Sequence, residues 1–340
     1  VNTRVLTLAI FNERAGWTLP ERALSRLREA APGSVEVRLV GTRQQLLDAM
    51  PETDYLAGFP FTESQFLELD APRVRWIQLT GRVGESVGKM RAILQKGVRV
   101  TTSARARAPQ CAEHALMLTL ALFRGTPAAA RAQAEHRWAA GELAGRVREL
   151  GEAVIGVVGG GAVGCACATL LTTLGCETIM VTGGGDEERL TRPEGVDTLP
   201  LERLDEILTR VDALIIACPF PNRSHPIVRR SQLQAMKERS FLVDVSRDGL
   251  VDEQDLIRAL QREEIAGAGL DVFEHAPPAA DSPLWTMPNV IVTPSISAAS
   301  PRYWDRAADL IGANLRRIES EERLLDEMRF EPEPARAGRR

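Results

Sequence analysis

At 340 residues, 44% of them hydrophobic, the chain is too long for one small core and too apolar for disorder, so roughly two domains are expected. Its formal net charge is −4, and of 42 basic residues only Lys89, Lys96 and Lys237 are lysines, the rest being arginines scattered along the chain. That distribution excludes a global basic field for nucleic acid and argues against Schiff-base lysine chemistry. No run of about 18 uncharged apolar residues occurs, so no membrane span is expected.

The chain opens VNTRVLTLAIFNER, which lacks the basic segment, long apolar run and cleavage site of a signal peptide. It reads as a first strand, over 5–11. Further strands are expected over 35–40, 55–59, 76–79 and 98–101, with helices between them over 21–29, 44–50 and 61–69. A longer helix is expected over 109–123, starting at Pro109, where a proline suits a helix start. An amphipathic Ala-rich helix over 127–140 follows. The strand–helix rhythm then resumes, with strands over 153–158, 178–181, 213–218, 241–245, 268–272 and 290–293, and a last helix over 301–320. Alternation of this kind predicts α/β architecture, with parallel sheets covered by helices on both faces. The tail after residue 330 is charged and contains prolines.

Five cysteines form no CxxC pair. Cys165 and Cys167 lie two apart on an expected helix, where side chains diverge by about 200°, which suits no shared metal. An odd number of cysteines within apolar runs fits buried, reduced thiols in a cytoplasmic protein.

The segment AVIGVVGGGAVGCACATLLTTLG is the most informative. An apolar strand runs into Gly159-Gly160-Gly161-Ala162-Val163-Gly164, a GxGxxG turn, and an apolar helix follows. Gly159 suits the tight turn, Gly161 the approach of a pyrophosphate, and Gly164 close packing of the helix. The helix N-terminus offers N–H groups and partial positive charge to a diphosphate. This predicts dinucleotide binding. The next strand ends at Thr182-Gly183-Gly184-Gly185, not at the Asp or Glu that would hold the ribose hydroxyls of NAD, and Asp186 comes late. The missing carboxylate leans the choice between NAD and NADP toward NADP. Arg189 and Arg192 are either ligands of its 2′-phosphate or surface charges.

Further pieces occur in a fixed order after CAEHALMLTLALFR and the glycine turn: VDALIIACPF, LVDVSRDGLVDEQDLIRAL, AGAGLDVFE and SPLWTMPNVIVTP. With these pieces, residues 55–304 resemble the D-isomer-specific 2-hydroxyacid dehydrogenases, the group that contains phosphoglycerate dehydrogenase and glyoxylate reductase. The resemblance implies two doubly wound parallel-sheet domains, a Rossmann cofactor domain (107–293) inserted into a flavodoxin-like substrate domain (1–106 plus 294–330), with a tail over 331–340. It implies cofactor contacts from Gly159, Gly161, Ala162, Val163, Gly164, Thr182, Cys218, Pro219, Val245 and Arg247. Asp271 resembles the residue that meets the nicotinamide carboxamide.

Such enzymes resemble one another in a catalytic trio. An arginine grips the substrate carboxylate through a bidentate fork, a histidine moves the proton, and a glutamate orients the histidine. Arg247 matches the arginine, although Asp248 and Asp244 stand where glycine and asparagine are usual. Ala276 occupies the glutamate position and Ser295 the histidine position. Serine cannot shuttle a proton near neutral pH without a base. His275 and Tyr303 are weighed as substitutes against roles in a solvent-facing loop and in helix packing, and His225 and His114 are more simply a turn and a packing residue. The turn holding Gly81, Arg82 and Gly84 can bind a carboxylate through its N–H groups, and Arg105 and Arg107 are extra cations in connecting segments. The expected function is NAD(P)-dependent hydride transfer to or from a 2-oxo or 2-hydroxy acid or related carboxylate, with an atypical proton relay. The alternative is a dinucleotide-binding scaffold without turnover, a sensor or interaction protein. A homodimer is expected through the 127–140 stretch, including Trp138.

Overall fold

The computed structural model of the protein describes residues 3–13, 17–58, 60–80, 90–183, 193–218, 226–246 and 249–328. In chain order, the first third holds β1 (Arg4–Leu8), a small hairpin of β2 (Phe11–Asn12) and β3 (Trp17–Thr18), α1 (Glu21–Ala30), β4 (Val35–Leu39), α2 (Arg43–Ala49), β5 (Tyr55–Ala57), α3 (Glu63–Leu67), β6 (Trp76–Gln78), α4 (Arg91–Gln95) and β7 (Arg99–Thr101). Then come α5 (Ala104–Phe123), α6 (Thr126–Ala134), α7 (Ala140–Ala144), β8 (Val154–Val158), α8 (Ala162–Thr173), β9 (Glu177–Thr182), β10 (Asp197–Pro200) and α9 (Leu204–Leu208). The remainder is β11 (Ala213–Ile216), α10 (Arg230–Ala235), β12 (Phe241–Asp244), α11 (Glu253–Gln261), β13 (Gly267–Leu270), β14 (Val290–Val292) and α12 (Tyr303–Glu319).

The chain divides into two compact units, 1–106 with 301–340, and 107–300. The first holds a five-stranded parallel sheet in the order β4-β1-β5-β6-β7, the doubly wound order of flavodoxin-like folds. Alternate side chains point to opposite faces, which gives it two cores. Leu6, Leu8, Tyr55 and Trp76 pack on α1 and on Ile311 and Leu315 of α12. Leu56, Ile77 and Val100 pack on α2, α3 and α4.

The second unit holds a seven-stranded parallel sheet ordered β10-β9-β8-β11-β12-β13-β14, the Rossmann order with a seventh strand added. Ile155, Val157, Ile215 and Val243 face α5 and α8. Ile179, Leu214, Ile216 and Leu242 face α9, α10 and α11. Strand order reverses between β8 and β11, and in sheets of this kind ligands bind outside the carboxyl ends at that switch point.

Three expectations need correction. Residues 294–300 belong to the second unit, not to the substrate domain, because the Asp271 carboxylate accepts from the N–H groups of Ile296 and Ser297 and Gln110 Nε2 donates to the Ala298 carbonyl. The long helix α5 starts five residues before Pro109. Asp326 caps it, accepting from the Arg105 N–H at 2.8 Å and from Arg105 Nε at 2.9 Å. The expected 127–140 helix stops at Ala134, and His136 takes the left-handed conformation (φ 53°), so α7 begins separately. The tail over 331–340 lies outside the described residues.

Candidate functional site

The turn after β8 is built from steric necessity. Gly159 has φ 128°, and a Cβ there would lie 2.8 Å from Cα of Cys218, the second residue beyond β11. Only glycine lets the two strand ends approach so closely. A Cβ on Gly164 would fall 1.8 Å from the Gly159 carbonyl oxygen, so the first turn of α8 rests directly on the glycine turn. Gly161 differs. It is the N-cap of α8 with ordinary extended angles, and a Cβ there meets nothing within 4 Å.

That open space faces a twelve-residue helix whose N-terminus has neither a side-chain cap nor an acidic first turn. The backbone N–H groups of Ala162, Val163 and Gly164 lack intrahelical acceptors by helix geometry, and the helix dipole adds partial positive charge. The residues present fit a dinucleotide diphosphate. Cys218 is half-buried at the switch point, Val245 is buried just beyond β12, and Thr182 ends β9, followed by the exposed Gly183. Pro219, Arg247, Asp248, Asp186, Arg189 and Arg192 lie outside the described residues. At the end of β12, Asp244 Oδ1 accepts from the Ser246 N–H at 2.9 Å and from its hydroxyl at 2.5 Å. Cys165 and Cys167 are buried in α8, and burial pushes the Cys167 thiol up to about 12, so it stays protonated.

Asp271 holds the loop after β14. Its side chain has 0% exposure. Oδ1 accepts from Thr293 Oγ1 at 2.7 Å and from the Ile296 N–H at 2.8 Å, and Oδ2 accepts from the Ser297 N–H at 2.9 Å. A carboxylate tied by three donors organises the loop that follows β14.

His114 completes this cluster. Thr293 gives its hydroxyl proton to Asp271, so it accepts from His114 Nε2 at 2.9 Å, and the same nitrogen lies 3.5 Å from Asp271 Oδ1. Burial lowers the His114 pKa below its ordinary value, against the opposing pull of Asp271. Sequence reasoning gave His114 a packing or hinge role and missed Thr293. No local signal pairs residues 179 positions apart.

The candidate proton carriers fall in different settings. Ser295 has φ 58°, a left-handed conformation uncommon for serine, and its hydroxyl donates to the Asp271 carbonyl at 3.1 Å. His275 and Ala276 sit in an exposed stretch, 274–277. In the first unit, the Tyr303 hydroxyl donates to the Thr80 carbonyl, and its ring meets Trp304 edge-on at 4.9 Å. Arg105 is tied to Asp326. Gly81, Arg82, Gly84 and His225 lie outside the described residues.

The family model described as the D-isomer specific 2-hydroxyacid dehydrogenase NAD binding domain matches residues 116–297. The chain belongs to the D-isomer specific 2-hydroxyacid dehydrogenase family. Within this dehydrogenase family it is 31% identical to D-3-phosphoglycerate dehydrogenase of Mycobacterium tuberculosis over 286 residues, which is 83% of this chain and 52% of that one. It is 28% identical to a glyoxylate reductase of Korarchaeum cryptofilum over 318 residues, 87% of this chain and 89% of that one. The chain spans about half the length of the phosphoglycerate dehydrogenases that it matches. A solved D-isomer specific 2-hydroxyacid dehydrogenase from Xanthobacter autotrophicus Py2, in complex with NADPH and MES, is similar with a TM-score of 0.78 and 26% identity, covering 96% of this chain and 98% of that one. The seven-stranded unit of this dehydrogenase-family chain is thus an NAD(P)-binding domain. Among the described residues, no helix is long and apolar enough to cross a membrane.

Proposed function

We propose that the protein is an NAD(P)-dependent oxidoreductase that moves hydride to or from C2 of a 2-oxo or 2-hydroxy acid or a related carboxylate. The observation that carries this reading is the glycine cradle at the β8/β11 switch point, with open space over Gly161. Bound there, NAD(P) supplies the hydride. Gly159, Gly161, Ala162, Val163, Gly164, Thr182, Cys218, Pro219, Val245, Arg247 and Asp271 form the cofactor's surroundings. Arg247 carries the carboxylate fork, helped by Gly81 and Arg82. Ser295, His275 and Tyr303 are the residues from which an atypical relay is drawn. Membership of a dehydrogenase family and a glyoxylate reductase relative weigh against a scaffold without turnover.

NADP is the preferred cofactor in this reading. Thr182 and Gly183 end β9 without a carboxylate that would repel a 2′-phosphate, and Arg189 and Arg192 follow. The free thiols favour the cytoplasm. The partner is a second copy of the chain, because Trp138 is 95% exposed in the single subunit, an unusual setting for so large an apolar ring. Light scattering should give a dimer mass at micromolar concentration, and Trp138→Asp should shift it toward monomer. A monomer mass for the unchanged protein refutes the assembly.

The function itself is tested by single-turnover absorbance of NADPH-loaded protein mixed with a panel of 2-oxo acids and related carboxylates. Oxidation that disappears in Arg247→Ala supports the reading. No oxidation across the panel, with cofactor bound, overturns it.

A further inference from the structure

Reduction of a ketone has two demands. Hydride reaches carbon, and the oxygen, left as an alkoxide, must take a proton from a positioned donor. The hydrogen bonds of the candidate donors limit what they can do. The Asp271 carbonyl cannot donate, so the single Ser295 hydroxyl proton lies between the two oxygens at 3.1 Å. What Ser295 presents elsewhere is lone pairs only. The partner of the Tyr303 hydroxyl is also a backbone carbonyl, that of Thr80, so its proton is committed in the same way.

Among the described residues of the second unit, nothing re-arms Ser295. The Asp271 carboxylate, close in the chain fold, is spent on Thr293, Ile296 and Ser297, and His114 directs its Nε2–H at Thr293 and Asp271. Position 276 is an alanine, and His275 beside it is exposed, with no hydrogen-bond partner among the described residues. Among the described residues, the Ser295 surface is therefore an acceptor without a base behind it. An acceptor repels a carbonyl oxygen or alkoxide and attracts an N–H.

We propose that the hydride acceptor is an iminium acid, a 2-carboxylate whose C2 is double-bonded to a protonated nitrogen, with the N–H directed at Ser295 Oγ. This rests on the oxidoreductase reading above and names its substrate class. The substrate brings its own proton. Its carbon receives hydride, with the electron pair, from the reduced nicotinamide. The C=N π pair moves to nitrogen and cancels its positive charge. The product is a 2-amino acid and oxidised cofactor, and the amine later takes a proton from water. No step asks an enzyme group to protonate oxygen.

The experiment mixes the protein and NADPH (and, separately, NADH) with pyruvate or glyoxylate, with and without methylamine. The expected result is cofactor oxidation only when both acid and amine are present, rising with amine concentration, with the N-methyl amino acid identified by mass spectrometry. Ser295→Ala should lower amine-dependent kcat/KM by about ten- to a hundredfold, the worth of a hydrogen bond to a charged group. Calorimetry gives a readout without turnover. N-methylalanine, whose ammonium donates, should bind the NADP⁺-loaded protein more tightly than lactate does. Equal oxidation without amine, giving the 2-hydroxy acid, overturns the iminium assignment and leaves the oxidoreductase reading standing. No oxidation under any combination overturns both. Lactate binding more tightly than N-methylalanine also overturns the assignment.

Discussion

The turn after β8 and the loop after β14 belong to the same sheet, yet they are organised by opposite means. At the first, backbone does the recognising. Gly159 and Gly164 are required by approaches of 2.8 and 1.8 Å that leave no room for a side chain, and Gly161 leaves open space. At the second, side chains from three elements do the organising: His114 on α5, Asp271 after β13 and Thr293 after β14. A backbone cradle is set by local sterics and keeps its chemistry whatever the substrate. A side-chain cluster fixes a loop while leaving the residues on it, Ser295 among them, free to differ from the family pattern.

The largest expected effect tests the cradle. Gly161→Asp adds a negative charge where a diphosphate approaches, while the Cβ itself meets nothing. Binding of NADPH and NADH should vanish in calorimetry with helix content unchanged in circular dichroism. Unchanged affinity breaks the comparison, since backbone recognition at this turn would then be unnecessary. Gly164→Ala acts differently, because its Cβ cannot share space with the Gly159 carbonyl and the fold itself must shift.

Next come the residues carried by the loops before and after β14. Ala276→Glu with Ser295→His restores the family pair, and general acid–base catalysis is worth about 10²–10⁴-fold. Reduction of glyoxylate and pyruvate without amine should rise into that range, and Arg247→Ala should remove the gain. No gain, with cofactor and acid both bound, means that the site has been reshaped beyond two side chains.

These two regions also mark what was legible in the sequence. The glycine turn was readable because its strand, glycines and helix are contiguous and each has a steric reason. The buried strands were readable from their apolar runs. Strand β10, Asp197–Pro200, was not, because it lies at the sheet edge and carries exposed Asp197 and Pro200 at its ends. The start of α5 was hidden because its cap, Asp326, lies 221 residues from Arg105. The same distance problem concealed the loop contacts of Asp271, because only the fold brings Thr293, Ile296 and Ser297 to its carboxylate.

A smaller effect measures how firmly Asp271 holds its loop. Asp271→Ala leaves the Thr293 hydroxyl only its longer bond to the Leu270 carbonyl and removes the acceptor of the Ile296 and buried Ser297 N–H groups, and should cost about 3 kcal/mol in urea unfolding. Asp271→Asn keeps one acceptor oxygen and should fall between the two. A loss below about 1 kcal/mol for the alanine variant would mean that the loop holds without the carboxylate.

The smallest effect belongs to His114 and follows from the sign of its shift. Burial lowers its pKa in the fold, although Asp271 pulls the other way, and its side chain is only 12% exposed. The unfolded chain binds a proton at this residue near the ordinary value of about 6.5, whereas the folded chain binds it only at lower pH. In the window between those values the unfolded state holds more protons, so stability falls as pH falls. The contribution is fully present above about pH 6.5, is lost as pH drops through the window, and changes no further below the folded pKa. His114→Gln offers an amide donor to Thr293 and cannot titrate. Urea midpoints compared between about pH 8 and about pH 5 should therefore fall less for the variant than for the unchanged protein, with every other titrating group common to both. Identical falls would show that the folded and unfolded chains bind this proton alike, and the neutral imidazole would then not be what ties α5 to the Thr293–Asp271 pair.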